Sequence, residues 1–327
     1  MKSREWRLGA YPQGMPREDG FELAEVELAE PRDGELLIRN EFLSVDPYMR
    51  GRMRDVRSYV PPYRIGHAMS GGAVGEVVAS RNASFARGDR VLHMLGWRDH
   101  ALSDGRGVRK VDPELASLSS YLGVLGMPGL TAYVGLLDIG EPREGETVLV
   151  SAAAGAVGSV AGQIARLKGC RVIGSAGSAE KVAWLEELGF HAAFDYKRES
   201  IREALSDGID VYFDNVGGEH LEAALGALRP FGRIVACGAI SRYNDERGEP
   251  GPRNLPLVVG KRLRMQGFIV SDRFDRLRDF LRDMSAWLRS GDVRYRETVV
   301  TGIEHVPKAF IGLLRGDNIG KMVVDVR

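Results

Sequence analysis

The chain of 327 residues carries 45 Lys and Arg against 45 Asp and Glu, so its formal net charge is zero. This balance argues against a nucleic-acid partner. The sequence has no basic run and no apolar stretch of about 18 residues, so it does not indicate contact with a membrane. Two cysteines are too few for a disulfide framework, and the first residues lack the apolar core of a signal peptide. We therefore expect a cytoplasmic protein.

The N-terminal part of the chain favours a β-rich domain. Apolar runs at residues 35–43, 71–78 and 89–95 predict strands, because Pro- and Gly-containing turns separate them. This spacing is typical of a small barrel or sandwich. The C-terminal part predicts a strand at 297–301, a helix at 306–314 and a strand at 322–326. We expect this tail to return to the first domain, which would then comprise residues 1–122 and 296–327.

The middle of the chain alternates between strand and helix patterns. Strands are predicted at 147–151, 171–174, 210–214 and 232–238, where apolar residues run together. Helices are predicted at 157–167, 181–188, 221–228 and 277–288, where apolar residues recur at helical spacing. The alternation indicates an α/β fold, with a doubly wound parallel Rossmann sheet over residues 123–295.

A glycine-rich turn follows the first of these middle strands. Ala153, Gly155 and Gly158 occupy the three positions of a dinucleotide fingerprint, with alanine in the first. Glycine at the second position lets the backbone approach a pyrophosphate, and glycine at the third lets the helix pack against the sheet. The N–H groups that open the next helix favour phosphate. The sequence therefore predicts cofactor contacts at Gly155, Ala156, Val157 and Gly158.

The end of the next strand indicates which nicotinamide cofactor binds. An NAD site usually places Asp or Glu about 20 residues after the fingerprint. Here Ser175 lies in a run of small residues without an acid, and Lys181 follows. Small hydroxyls and a cation suit the 2′-phosphate of NADPH, although Lys181 also fits a solvated helix residue. Tyr196 is a candidate to stack or to donate at this end of the cofactor, or else an ordinary half-buried tyrosine.

Two further turns follow strands of the same sheet. Asn215 follows the strand at 210–214, and Cys237 to Tyr243 follow the next. Open α/β sheets bind ligands beyond the carboxyl ends of their strands, so Asn215 is a candidate to bind a ribose or an amide. Gly238 permits close backbone approach, although tight turn geometry alone also explains a glycine there.

The sequence predicts no metal site. A structural zinc site usually needs four cysteines and a catalytic one at least three ligands. The chain has only Cys170 and Cys237, and among its six histidines only His93 and His100 have paired spacing. We interpret those histidines as core or surface residues and both thiols as inert.

Seven segments follow one another in the order of a known family. They are Leu43–Met53, Gly126–Tyr133, Ser151–Gly158, Tyr212–Gly218, Cys237–Ser241, Met265–Val270 and Gly316–Lys321. Together they resemble the zinc-free branch of the medium-chain dehydrogenases/reductases, which includes prostaglandin reductases, leukotriene hydroxydehydrogenases and curcumin-reductase-like oxidoreductases. The resemblance spans nearly the whole chain.

This resemblance implies a chaperonin-10-like β-rich catalytic domain and a homodimer joined through the Rossmann sheets. It implies NADPH-dependent reduction of a carbon–carbon double bond conjugated to a ketone or aldehyde. Hydride goes to the β-carbon, hydrogen bonds hold the enolate oxygen, and the α-carbon is then protonated. The implied cofactor contacts are Gly155, Ala156, Lys181, Tyr196, Asn215, Cys237, Gly238, Ala239, Ile240, Ser241, Tyr243, Phe268, Ile269, Val270 and Asn318.

One departure from the family concerns the hydrogen-bond donor to the enolate. Gly260 stands where mammalian and plant members carry an active-site tyrosine. The candidates elsewhere are Tyr59 first, then Tyr48, Tyr63 and Tyr243, or the cofactor ribose with water. Each tyrosine has the alternative of simply packing in a pocket wall. Two other functions stay open: a zinc-free NADPH quinone reductase and a non-catalytic dinucleotide-binding protein.

Overall fold

The computed structural model describes residues 1–246, 248 and 250–327. The chain divides into two compact units, one formed by Met1–Gly123 with Glu297–Arg327 and the other by Val124–Arg296. Among the described residues, no helix combines the length and the apolar character that crossing a membrane requires.

The first part of unit one is mainly β-structure. Its elements are β1 (Lys2–Leu8), β2 (Phe21–Glu27), β3 (Leu36–Ser44), α1 (Tyr48–Gly51), β4 (Ala73–Ser80), β5 (Arg90–His93), β6 (His100–Ser103) and β7 (Arg109–Lys110). The strands predicted at 35–43, 71–78 and 89–95 correspond to β3, β4 and β5 with shifted ends. The sequence did not predict β1 and β2, which pair with each other as a separate antiparallel sheet.

Unit two alternates strand and helix. Its elements are α2 (Met127–Val134), β8 (Thr147–Val150), α3 (Gly158–Leu167), β9 (Arg171–Ala176), α4 (Ala179–Glu187), β10 (Ala192–Asp195), α5 (Ile201–Ala204), β11 (Ile209–Asp214), α6 (Gly218–Ala227), β12 (Leu228–Ala236), α7 (Leu257–Gly260), β13 (Arg264–Gly267) and α8 (Leu277–Ser290). All strand pairs are parallel, in the order β10-β9-β8-β11-β12-β13. All four residues of β8 are buried, as expected for a central strand covered on both faces.

The end of the chain completes unit one with β14 (Glu297–Thr301), α9 (Val306–Arg315) and β15 (Lys321–Asp325). β15 pairs antiparallel with β3, and Val324 lies opposite Leu43. In the described residues this sheet runs in the order β14-β15-β3-β4-β5-β7, and β6 also pairs with β3. α9 packs Phe310 against the ring of Trp97 at 5.7 Å between centroids, inside the core of this unit.

Short 3₁₀ and π segments connect these elements. They are 3₁₀ helices at Glu18–Gly20, Leu118–Leu122, Ile240–Arg242, Val270–Arg276 and Ile303–His305, and a π-helix at Gly135–Gly140 that continues α2.

Candidate dinucleotide site and tyrosine cluster

The turn between β8 and α3 is the centre of the candidate nucleotide site. Ala152 has a positive φ of 46°, and the Gly155 amide donates to the Ala152 carbonyl at 3.0 Å, which closes the turn. At the start of α3, the Ser159 amide donates to the Gly155 carbonyl at 3.0 Å. Ala156 and Val157 precede α3 and Gly158 is its first residue, so their amides have no acceptor within the helix. These open N–H groups suit the pyrophosphate of a dinucleotide.

Glycine is required at the end of this turn because α3 lies close to the preceding backbone. A Cβ added to Gly158 would lie 2.5 Å from the Ala152 carbonyl oxygen and 2.8 Å from Ala153 Cα. A Cβ added to Gly155 would lie 3.2 Å from the same oxygen. The third fingerprint glycine thus allows the close contact of helix and sheet that the sequence pattern predicts.

Lys181 and Tyr196 lie just beyond the carboxyl ends of β9 and β10. Ser178 caps the N-terminus of α4, where its Oγ accepts from the Lys181 amide at 3.4 Å. Ser175 is fully buried, and its Oγ lies 2.7 Å from His220 Nε2, so its hydroxyl is bonded inside the protein. Burial lowers the pKa of His220 to about 4, which keeps the ring neutral.

Tyr196 stands edge-on to His220, with ring centroids 4.9 Å apart, and is 40% exposed. Ser175 and His220 therefore form a buried polar support behind the tyrosine. Sequence reasoning did not link His220 to this site, because it lies 45 positions from Ser175.

Asp214, at the end of β11, organises the next turn. Its Oδ1 accepts from the Tyr212 hydroxyl at 2.7 Å and from the amides of Val216 at 2.9 Å and Gly217 at 2.8 Å. Burial raises the pKa of Asp214, and these donors oppose that shift. Sequence reasoning did not assign Asp214 a role, although a carboxylate at a strand end before Asn and Gly is a known turn-forming pattern.

Asn215 is fixed between β8 and β11. Its amide N–H donates to Ser151 Oγ at 3.0 Å, and its side-chain Nδ2 donates to the Ser151 carbonyl at 2.8 Å. The side-chain oxygen is then the atom of Asn215 left to accept from a ligand hydroxyl or amide.

Hydrogen bonds join the turn after β12 to the turn after β11. The amides of Cys237 and Gly238 both donate to the Asp214 carbonyl, at 2.9 and 3.0 Å. Ser241 Oγ donates to the Val216 carbonyl at 2.6 Å. The intervening residues Ala239 and Ile240 and the following Tyr243 belong to the same turn, in which the Tyr243 hydroxyl accepts from the Ala239 amide at 3.4 Å.

The structure thus brings most sequence-predicted cofactor residues to one edge of the sheet. The fingerprint, Asn215 and the 237–243 turn follow β8, β11 and β12, and Phe268, Ile269 and Val270 follow β13. Asn318 belongs to unit one, where its Nδ2 donates to the Gly320 carbonyl at 2.7 Å.

A cavity of about 560 Å³ adjoins Tyr196 in unit two. Its lining includes Gly218 and Arg242. Arg242 places a second cation near this end of the candidate site, and sequence reasoning passed over it because it lies inside the glycine turn.

The candidate tyrosines of unit one differ in how their hydroxyls are engaged. Tyr63 donates to the Ser70 carbonyl at 2.7 Å, and Arg52 covers its ring at 4.0 Å. Tyr59 is 61% exposed. The hydroxyl of Tyr48 is buried and has no hydrogen-bond partner in the described part of the chain. Burial, reinforced by the charge of Asp46, raises the pKa of Tyr48.

The comparisons with known proteins give the class. A model described as the N-terminal domain of oxidoreductase matches residues 4–111, and one described as zinc-binding dehydrogenase matches residues 156–286. A β-rich unit joined to a Rossmann sheet in this way defines a medium-chain dehydrogenase/reductase. The crystal structure of CurA in complex with NADPH from Vibrio vulnificus superposes with a TM-score of 0.95 at 45% identity, covering 99% of both chains.

Three relatives extend the likeness along the whole chain. The putative NADP-dependent oxidoreductase YfmJ of Bacillus subtilis is 47% identical over 98% of this chain and 96% of its own. The NADPH-dependent curcumin reductase of Escherichia coli is 46% identical over 99% and 97%. The NADP(+)-dependent 2-alkenal reductase of Nicotiana tabacum is 42% identical over 98% and 93%. The chain therefore belongs to the medium-chain dehydrogenase/reductase family, in the branch that contains these reductases.

The second family description mentions zinc, but the residues do not fit that metal. Among the described residues, no three His, Cys, Asp or Glu side chains are grouped to hold an ion. His93 Nε2 lies 2.8 Å from Asn40 Oδ1, and its Nδ1 accepts from the Leu95 amide. Burial lowers the pKa of His93 to about 3, so the ring is a neutral core group.

Proposed function

We propose that this protein catalyses the NADPH-dependent reduction of the carbon–carbon double bond of α,β-unsaturated ketones and aldehydes. The observation that carries the proposal is the turn from Ser151 to Gly158, whose open amides suit a pyrophosphate. Two relatives support the substrate class: one of 46% identity is named for NADPH-dependent reduction of curcumin, and one of 42% identity for NADP(+)-dependent reduction of 2-alkenals.

Residues of unit two, together with Asn318 of unit one, would hold the cofactor. The amides of Ala156, Val157 and Gly158 face the pyrophosphate, and Lys181 with Tyr196 binds the 2′-phosphate. The oxygen of Asn215 accepts from a ribose hydroxyl or the carboxamide, and Ser175 acts indirectly through His220. The 237–243 turn, Phe268–Val270 and Asn318 complete the proposed contacts.

Tyr48 is the proposed donor to the substrate carbonyl. When bound, the reduced nicotinamide supplies a hydride to the β-carbon, and water supplies the proton that the α-carbon gains. Negative charge then develops on the carbonyl oxygen, where a placed hydroxyl stabilises it most. Because burial raises the pKa of Tyr48, its hydroxyl stays protonated at neutral pH and can donate. This places Tyr48 ahead of Tyr59, the first candidate from sequence, and ahead of Tyr63, whose hydroxyl already donates to the Ser70 carbonyl. Tyr243 belongs to the turn proposed to hold the cofactor, where its hydroxyl accepts from the Ala239 amide.

The test follows NADPH absorbance with trans-2-nonenal, a chalcone-type enone, a benzoquinone and a saturated aldehyde, with NADH in parallel. We expect the enal and the enone to give saturated carbonyl products. Tyr48→Phe should lower kcat for them by about 100-fold, as loss of one oxyanion donor does. Tyr59→Phe is the matched control, because that side chain is largely exposed. Activity with the quinone alone would favour a quinone reductase, and binding without turnover a non-catalytic protein.

We propose a homodimer as the working state. β13 lies at the edge of the sheet and all four of its residues are exposed. Val259, shortly before β13, is 80% exposed, and Phe231 of the neighbouring strand β12 is 67% exposed. An exposed edge of this kind is a template for a second copy. Light scattering should give the mass of a dimer, and Met265→Lys, on the 44% exposed Met265 of β13, should give a monomer. A monomeric wild-type protein would contradict this.

We also propose a cytoplasmic location, in keeping with two unpaired thiols. A fluorescent fusion in living cells would test it.

A further inference from the structure

Lys321, the first residue of β15, is a buried cation that the proposed reaction does not use. Its side chain is 5% exposed, and its Nζ donates to the carbonyls of Val45 at 2.8 Å and Met322 at 2.7 Å. The Oδ1 of Asp46 lies 3.3 Å from the same nitrogen. The three N–H bonds of the ammonium therefore have three acceptors. The stem is confined as well, since a Cβ on Gly123 would lie 3.3 Å from Lys321 Cβ.

Stability alone is a poor reason for this arrangement. The desolvation free energy of a buried ammonium group cancels much of the stability that its ion pair and hydrogen bonds contribute. An apolar side chain of similar volume is often at least as stabilising in the same place. The following residues Met322 and Val323 are apolar and buried, so a methionine at position 321 would suit the local core. Glu297 adds a half-buried carboxylate near the ammonium, and Ser119 Oγ donates to its Oε2 at 2.7 Å. The ion cluster calls for a role beyond packing.

The contacts of Lys321 lead to Tyr48. Asp46, the ion-pair partner, lies two residues before Tyr48, and its backbone carbonyl accepts from the Met49 amide at 3.1 Å in the turn that opens α1. Asp46 Oδ2 also accepts from Ser44 Oγ, which fixes the carboxylate to the end of β3. α1 has only four residues, and so short a helix does not hold its own geometry.

We propose that Lys321 is a positioning residue, which holds Val45 and Asp46 so that the unpartnered Tyr48 hydroxyl meets the substrate carbonyl. This inference rests on the proposed function, since it needs Tyr48 to be the donor. Lys321 then acts only through Tyr48. Its loss lowers kcat for enals and leaves the phosphate contacts of NADPH in place, because the residues proposed to make them belong to the other unit.

A double-mutant cycle tests this coupling. Lys321→Met, Tyr48→Phe and the double variant are compared in kcat and KM for trans-2-nonenal, and NADPH Kd is measured by fluorescence titration. We expect Lys321→Met to lower kcat about 10-fold with an unchanged NADPH Kd, less than the roughly 100-fold that a misplacement of about 1 Å costs. In the Tyr48→Phe background the same substitution should cost nothing further, because no hydroxyl remains to be positioned.

A control separates positioning from stability. Glu146→Gln breaks the Arg233–Glu146 ion pair of unit two, whose side chains are 12% and 18% exposed and 2.6 Å apart. We expect it to lower Tm and to leave kcat unchanged. Should Lys321→Met fail to fold, Asp46→Asn keeps the shape of the site, removes the ion pair and should show the same non-additivity with Tyr48→Phe.

The outcomes are distinct. If the effects of Lys321→Met and Tyr48→Phe multiply, Lys321 does not act through Tyr48 and the inference is overturned while the proposed function stands. If Tyr48→Phe alone leaves kcat unchanged, the proposed donor is wrong and the inference fails with it. If Glu146→Gln lowers kcat as much as Lys321→Met, the loss reflects stability and the inference is again overturned.

Discussion

Gly158→Ala is the sharpest test of how the β8–α3 turn works. The added Cβ would lie 2.5 Å from the Ala152 carbonyl oxygen, whereas ordinary van der Waals contact begins near 3.4 Å. Both atoms in the clash belong to backbone-anchored groups, so no flexible side chain can move aside. The start of α3 must retreat by about 0.9 Å, which is the difference between these two distances. The amides of Ala156 and Val157 would move with it.

The expected loss of NADPH affinity and of stability in Gly158→Ala follows from this displacement. Overpacking of a tight contact costs about 1–3 kcal/mol. At about 1.4 kcal/mol for each factor of ten, a cost that fell wholly on binding would lower NADPH affinity by about 5- to 140-fold. Part of the cost will fall on stability, and for a domain of this size each kcal/mol lowers Tm by about 2–4 °C.

The assay is fluorescence titration of NADPH, with Tm followed in the same samples. Gly20→Ala is the matched control, because a Cβ there meets nothing within 4 Å. It should leave both Kd and Tm at wild-type values. A Gly158→Ala protein with wild-type Kd and Tm would refute the close-approach reasoning. A loss of affinity matched by Gly20→Ala would refute it equally.

Three further predictions concern charge and burial. Lys181→Ala should weaken NADPH binding by about 10-fold or more and leave NADH binding unchanged in the same titration, and an equal loss for both would contradict its 2′-phosphate role. Burial lowers the pKa of His93 to about 3 against about 6.5 unfolded, so the unfolded chain binds more protons and stability falls as pH drops through this window. The loss reaches about 2 kcal/mol at pH 5. His93→Gln should flatten that slope in urea unfolding, and parallel curves would contradict it. Burial raises the pKa of Cys170 to about 11 and of Cys237 to about 12, so a thiol reagent at pH 7.5 should label the native protein slowly and the unfolded chain at both sites. Fast native labelling would contradict this.

Local sequence determined the elements whose pattern lies within one segment. β8, β9 and β11 are continuous apolar runs, and α3 and α8 repeat apolar residues at helical spacing, so each was predicted close to its observed range. β13 escaped prediction because all four of its residues are exposed, and only its pairing with β12 makes it a strand. The charged strands β1 and β2 depend on each other in the same way.

The residues of the candidate site also fall into two groups, those that local sequence indicates and those that depend on tertiary contacts. The fingerprint glycines, the cation at Lys181 and the amide at Asn215 are properties of short segments, so the sequence alone pointed to them, and their roles stay predictions. Which tyrosine hydroxyl is left without a hydrogen-bond partner in the protein could not be read from the chain. Tyr48, Tyr59 and Tyr63 look alike in sequence, and only packing leaves the first buried without a partner and ties the third to Ser70.

Tertiary structure also decided the contacts that span long stretches of chain. Ser175 meets His220 across 45 positions, and Lys321 reaches the Val45 carbonyl across 276. A hydrogen bond depends on where two atoms lie in space, and sequence patterns report only what neighbouring residues share. Turns, periodicity and composition can therefore be recognised from the sequence. The partners of buried polar groups are determined only when the strands and helices pack together.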